Sequence, residues 1–280
     1  MKRIKISIVV MCMFLLAGCA GVEKQNDLQP IPKLVFLDGY LATDTLPDSL
    51  ALLPQPPAKE STAFALDREV SKQSLTLRDT ARWTLAARDA RLTFPQAAEA
   101  FSCALGVPIS EEETPHLYML LRHTLTDAAL STDKAKDNYR RTRPFVVNGE
   151  PVCTPQQEEQ LKKSGSYPSG HTSIGWAWTL ILVEVSPEQT DAILARGWAF
   201  GQSRIVCNAH WQSDVMMGRI MGAAVVARLH ADPAFLAEIE VAKAELKAFR
   251  TKGLPPTGDC RAEADALNEY APLAPWPANR

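Results

Sequence analysis

The sequence predicts an all-α protein: a compact single-domain helical bundle with two buried central helices and an extended N-terminal arm. Three observations point there. From Ser61 onward apolar residues recur at helical spacing, and no stretch alternates with period two. Helix-start signals repeat along the chain: Thr93 before Pro95, Thr114-Pro115, Thr154-Pro155 with Gln157, Ser186-Pro187 and Asp232-Pro233. A small polar residue accepts from free amides, and proline at the first helical position sacrifices no hydrogen bond. Finally, Ile174 to Val185 and Val215 to Leu229 are apolar nearly all round. The first is too short for a bilayer and the second is interrupted by Arg219 and Arg228, so both read as core helices.

Residues 1–18 read as a signal peptide of lipoprotein type. Lys2, Arg3 and Lys5 precede an apolar run from Ile6 to Ala17. Leu16-Ala17-Gly18-Cys19 resembles the lipobox of bacterial lipoproteins, which implies lipidation of Cys19. Ala20 follows, not the aspartate that would suggest inner-membrane retention, so the expectation is a periplasmic protein anchored to the outer membrane. Plain cleavage nearby, with Cys19 incidental, is the alternative. Residues 19–60 form the arm, with Pro54, Pro56 and Pro57 clustered; the aliphatic stretch Leu46 to Leu53 argues that it packs on the body. Residues 61–253 are the helical domain. Leu117, Leu120, Leu121 and Leu125 share one helical face, and Gly165 and Gly253 fit helix ends. Residues 254–280 read as an irregular, proline-rich tail tied down through Cys260.

The net charge of -2 carries no signature for nucleic acid. Four cysteines lie in the body: Cys103, Cys153, Cys207 and Cys260. An even number in an oxidising compartment suggests disulfides with three possible pairings; Cys103–Cys153 with Cys207–Cys260 is the preferred one. Their spacing fits no zinc motif. Neither the His116/His123 pair nor His230 has a partner ligand nearby, so these histidines read as structural. Glu111, Glu112 and Glu113 read as a helix first turn, and Trp176, Trp178, Trp198 and Trp211 as core. No metal or cofactor site is expected.

Three blocks between residues 136 and 214 carry chemistry. Lys136 and Arg143-Pro144 are seven apart, so both cations are expected on one helix face, with Pro144 placing Arg143 near the helix end. The bland alternative is a solvated basic face, because Arg140 and Arg141 lie alongside. Pro168-Ser169-Gly170-His171 precedes the first buried helix; a helix start favours an anion, and glycine admits close approach. Arg204, His210 and Asp214 form the third block. Four residues separate the imidazole from the carboxylate, one helical turn, which would fix the ring tautomer. Cations, two histidines and a carboxylate are the parts needed to break a phosphate ester without a metal.

The combination resembles the type 2 phosphatidic acid phosphatase and vanadium haloperoxidase superfamily. More narrowly, SYPSGHTSIGWAW, GQSRIVCNAHWQSD and the flanking LPDSLALLPQPP and PAFLAEIEVAKAELKAF resemble bacterial class A non-specific acid phosphatases. The resemblance implies an all-helical bundle without cofactor or metal. It further implies a homo-oligomer acting on many small phosphomonoesters at acidic pH through a phosphohistidine. By residue, His210 would attack phosphorus, His171 would protonate the leaving oxygen and then activate water, and Asp214 would orient His210. Lys136, Arg143, Ser169, Gly170 and Arg204 would hold the phosphoryl oxygens. Phosphotransfer to an alcohol stays open beside hydrolysis. Cys103, Cys260, the C-terminal tail and the lack of an acidic residue soon after Asp214 depart from the pattern. The rivals are a haloperoxidase holding vanadate on His210, a non-catalytic phosphate-binding lipoprotein and, more weakly, a lipid phosphatase.

Overall fold

A computed structural model describes residues 36–269, all in a unit that begins at Ile31. Residues 1–35, with the expected signal peptide and Cys19, and the chain from 270 onward lie outside the described residues. Within them every regular element is helical. The arm does pack on the body, but of the leucines between 46 and 53 only Leu53 is buried, and Leu50 and Leu52 are exposed. Tyr40 and Leu41 donate their amides to the Asp127 carboxylate at 3.0 and 3.1 Å. Asp48 then caps α1 (Ser49–Leu52), and Leu53 is buried against Tyr167 and Met221. Ser61 and Thr80 cap α2 (Thr62–Ser74) and α3 (Ala81–Asp89) through their side chains. Two single turns, α4 (Gln96–Glu99) and α5 (Ser102–Leu105), lead to α6 (Pro115–Leu130), which buries Leu117, Leu120, Leu121 and Leu125 on one face.

Short helices α7 (Asp133–Tyr139), α8 (Pro144–Asn148) and α9 (Glu158–Lys162) connect this layer to the core. The core is α10 (Gly170–Val185), α11 (Thr190–Val206) and α12 (Gln212–Leu229). Helix α13 (Pro233–Arg250) then covers α6, starting at Asp232-Pro233 with the carboxylate as cap. Pro155 and Pro187 open 3₁₀ turns ahead of α9 and α11, not the α-helices themselves. Pro95 precedes α4 as its cap residue. Proline sets φ equally well for either kind of turn.

α10 lies at the centre, against α6, α11 and α12. Trp178 is fully buried there and donates its indole N–H to Leu121 O at 2.9 Å. α12 crosses α10 at Gly218 and Gly222, one helical turn apart. A Cβ at Gly218 would come within 2.6 Å of Ser169 O, and one at Gly222 within 2.5 Å of Ser173 O. The close crossing therefore requires glycine at both positions, and it seats the start of α10 against α12. α12 keeps one stripe, Met216 and Ile220, at the surface. Among the described residues no single helix is long and apolar enough to cross a membrane.

Two expectations are corrected. The disulfides are Cys103–Cys260 and Cys153–Cys207. Cys207 ends α11, where its carbonyl accepts from the Cys153 amide at 3.2 Å. Cys260 reaches Cys103 of α5 because the tail is not irregular throughout: Asp259 caps a last helix, α14 (Cys260–Asn268), which packs on α3. The prolines of the tail flank this helix and leave its interior free of them. Both corrections are tertiary facts that residue spacing does not encode. Gly222→Ala is expected to destabilise the fold by about 1–3 kcal/mol, because backbone must shift to admit one methyl. A thermal melt reads this as a clear drop in Tm, and an unchanged Tm would show that the α10–α12 crossing is loose.

Candidate active site

His210 lies in the turn between α11 and α12. The α11 end is closed by Arg204 O, which accepts from both the Ala209 and His210 amides at 3.1 Å. Asn208 takes a left-handed conformation, φ 58, and its side chain holds Asn148 and Glu150 O. The Cys153–Cys207 bridge pins the same turn. The His210 ring is thereby fixed. Its Nδ1 lies 2.8 Å from Ser166 O, and a carbonyl only accepts, so Nδ1 carries the proton. Nε2 is left with its lone pair, facing Arg143 Nη1 at 3.0 Å.

His171, in the first turn of α10, has the opposite arrangement. Its Nε2 donates to Ala90 O, the C-cap carbonyl of α3, at 3.0 Å, so Nδ1 is its free nitrogen. His210 feels the His171 ring, and both rings feel the charges of Lys136, Arg143 and Arg204. The three sequence blocks do converge. Burial first, then these cations, pushes both imidazoles well below the ordinary histidine range.

The cations differ in how they are held. Arg143 is engaged throughout: Nε with Leu161 O and Ser164 O, Nη2 with Ser164 Oγ and Gly165 O, Nη1 with Ala209 O and His210 Nε2. Lys136 donates to Pro168 O at 2.7 Å. Arg204 is fully buried, and none of its three guanidinium nitrogens has a hydrogen-bond partner among the described residues. Burial lowers Arg143 to about 10, and burial followed by the charge of Arg143 lowers Lys136 to about 8 and Arg204 to about 9. An unpartnered guanidinium is among the most costly groups to bury, so this pocket is built for an anion.

Ser169 caps α10, accepting from the Thr172 amide at 3.3 Å and its hydroxyl at 2.9 Å. Accepting twice leaves its own hydroxyl proton available to an anion. Gly170 opens the helix; a Cβ there would meet only Thr132 Oγ1 at 3.5 Å, an ordinary contact. Nothing in the protein itself therefore demands glycine at 170, which fits close approach by a ligand.

Two readings of the site change. Lys136 and Arg143 do not share a helix face: α7 stops at Tyr139, Arg140 turns left-handed at φ 41, and Arg143 is the extended cap of α8. They meet through the turn instead. Asp214 is not the direct acceptor of the His210 proton, because Ser166 O is; its Oδ2 stands 3.5 Å from Nδ1. His210 precedes α12, so the pair is not one helical turn of a helix. The carboxylate is committed elsewhere, to the Trp211 amide at 2.8 Å and to Arg141 at 2.5 Å. Burial still raises it to about 6.

The residues missed by sequence reasoning are Arg141 and Asp67. Arg141 is not on a solvated face; its side chain is 8% exposed and bridges Asp214 to Asp67 of α2, which also holds Ser213. Its position beside Lys136 and Arg143 was the available signal. Among the described residues no cluster of three His, Cys, Asp or Glu side chains could hold a metal ion.

Residues 115–236 match the PAP2 superfamily. The chain is 44% identical over 232 residues to a non-specific acid phosphatase of Providencia stuartii, covering 82% of this chain and 92% of that protein. It is 41% identical to an acid phosphatase of Zymomonas mobilis, over 75% of this chain and 79% of the relative. A non-specific acid phosphatase of Salmonella typhimurium is also 41% identical, over 69% and 78%. The chain belongs to the bacterial non-specific acid phosphatases of the PAP2 superfamily.

If Arg204 serves an anion and not the fold, Arg204→Met relieves a buried charge. The variant is expected to keep or raise Tm in phosphate-free buffer, and to lose the Tm rise that inorganic phosphate gives the parent. A drop in Tm of several degrees in phosphate-free buffer would make Arg204 a structural cation.

Proposed function

We propose that the protein hydrolyses a broad range of phosphate monoesters through a phosphohistidine on His210. The observation that carries this reading is Arg204: a buried guanidinium without a hydrogen-bond partner among the described residues, beside two imidazoles whose free nitrogens are set by backbone carbonyls. The phosphoryl group would lie against Arg204, Lys136, the Ser169 hydroxyl and the first amides of α10. As it enters, the one Arg143 N–H now on His210 Nε2 transfers to a phosphoryl oxygen and frees the lone pair. His210 Nε2 then bonds to phosphorus while the ester bond breaks, and the Nδ1 proton of His171 goes to the departing oxygen. In the second step His171 takes a proton from water as water attacks the phosphohistidine. An alcohol in place of that water gives phosphotransfer. Ser166 O and, behind it, the Asp214 carboxylate stabilise the charge that develops on His210.

The two histidines need opposite protonation, and their surroundings support this. His210 stays neutral far into the acid range, because burial and three cations oppose its charge. His171 is opposed in the same way in the free protein, but the substrate's negative charge offsets those cations at the moment of binding. Activity is therefore expected to fall as pH rises, once His171 no longer holds its proton in the complex.

The site residues named above all face the phosphoryl group in this mechanism and none is assigned to the alcohol part, which supports breadth toward that part. The export signal and the two disulfides support a periplasmic location. A lipid anchor at Cys19 is part of this reading and rests on Leu16 to Cys19 alone. Homo-oligomerisation rests on the family resemblance.

Rapid acid-free quenching with ³²P-labelled p-nitrophenyl phosphate tests the intermediate. An alkali-stable, acid-labile label on His210 is expected, and it should vanish in His210→Ala together with turnover. Hydrolysis that survives His210→Ala would overturn the mechanism. Lys136 adds a pH prediction. It is a cation below about 8 and neutral above, so inorganic phosphate should inhibit more weakly above that pH. Lys136→Arg should remove this alkaline loss, because guanidinium keeps its charge. Inhibition independent of pH from 7 to 9 in the parent would remove Lys136 from the phosphate contacts.

A further inference from the structure

His171 takes its orientation from one atom, Ala90 O, and the residue before it, Asp89, centres an ionic cluster whose charge also reaches Arg204. Asp89, the last residue of α3, is 2% exposed. Its Oδ1 accepts from Arg196 Nη2 at 2.5 Å, and its Oδ2 from Ser203 Oγ at 2.5 Å and Arg196 Nη1 at 3.2 Å. Arg196 and Ser203 lie two turns apart on α11, so one carboxylate fastens the end of α3 to that helix. Arg82 strengthens the same junction, from α3 to Ser203 Oγ at 2.9 Å and Ala199 O at 3.0 Å. Arg196 is also paired with Glu263 of α14, Nε to Oε1 at 3.3 Å. α14 is in turn tied to α5 by Cys103–Cys260. Buried ion clusters of this kind are weak contributors to stability, since apolar replacements often do as well. Holding a backbone carbonyl in one place is a use that apolar packing does not supply with the same directionality.

We propose that Asp89 is a positioning residue for His171, and that Glu263 of the C-terminal helix holds it through Arg196. The inference rests on His171 being the proton donor of the proposed reaction. In that step the P–O bond to the leaving oxygen breaks as His210 Nε2 bonds phosphorus, and the Nδ1 proton of the His171 imidazolium moves to that oxygen. The alcohol departs neutral and His171 is left neutral, its Nε2–H still on Ala90 O. A ring that tilts when Ala90 O shifts delivers the proton late. The consequence is selective. A basic alkoxide cannot leave without the proton, whereas p-nitrophenolate can.

The test compares kcat/KM on a primary alkyl phosphate and on p-nitrophenyl phosphate, with inorganic phosphate inhibition as a measure of the binding pocket. Asp89→Asn is expected to lower kcat/KM at least about tenfold on the alkyl ester and less than about threefold on the aryl ester, within the range a positioned acid contributes. Phosphate inhibition should hold within about twofold. Glu263→Gln, a milder change on the far side of Arg196, should show the same selectivity with a smaller amplitude, and it decides the matter if Asp89→Asn does not fold. Combined with His171→Ala, either change should add no further selectivity. Equal losses on both esters, or weakened phosphate inhibition of the same size, would reduce the cluster to scaffold and overturn the inference. His171→Ala separates the two levels. If it is selective against the alkyl ester while Asp89→Asn and Glu263→Gln are not, only the positioning role falls. If His171→Ala itself shows no selectivity, the proton-donor assignment falls and this inference with it.

Discussion

The rest of the structure answers to one electrostatic constraint: two buried guanidiniums and a partly buried lysine surround two imidazoles, and the carboxylate beside His210 is already paired. Burial first lowers the pKa values of Lys136, Arg143 and Arg204, and the charge of Arg143 lowers Lys136 and Arg204 further. Asp214 offsets Lys136 and Arg143 only in part, because Arg141 and the Trp211 amide hold it. Such an arrangement is unfavourable by itself and becomes favourable around a tetrahedral dianion. The fold bears that cost so that the charge is in place before substrate arrives, with no reorganisation required at the moment of reaction.

The framework explains how the cost is carried. α10 is set against α12 by the glycines at 218 and 222, which fixes Ser169 and the helix start. The α11–α12 turn is closed by Arg204 O, Asn208 and a disulfide, which fixes His210. Backbone carbonyls, not carboxylates, then choose the tautomers: Ser166 O for His210 and Ala90 O for His171. A neutral acceptor orients an imidazole without stabilising its cation as strongly as a carboxylate would. In the proposed mechanism that leaves His210 neutral enough to attack, with Asp214 at 3.5 Å close enough to help once charge appears.

Much of this was legible in the sequence. Helical spacing and proline-marked starts reveal the bundle, and Asp232-Pro233 caps α13 as read. The apolar stretches around Ile174 and Val215 do become the central helices, and His171 and His210 do stand at their starts. What was not legible depends on atoms that sequence does not display. Ala90 O and Ser166 O belong to every residue's backbone and give no motif. Arg140 adopts a left-handed conformation without being glycine or asparagine, so the break between Lys136 and Arg143 is invisible to spacing rules. Arg141 looked like one more surface cation because its partner, Asp67, lies 74 residues away. The disulfide pairing and α14 followed tertiary proximity across 157 and 54 residues, where sequence neighbours suggested otherwise.

The central claim is that an anion completes this pocket, and proton linkage tests it most directly. When phosphate offsets the cations, the lowered pKa of His171 is expected to rise, so binding draws protons from solution. Isothermal calorimetry of inorganic phosphate binding near pH 6.5, repeated in buffers of different ionisation enthalpy, counts those protons. After correction for phosphate's own ionisation, the account predicts net uptake by the protein that is diminished in His171→Ala. Binding with no uptake, or with proton release, would contradict it.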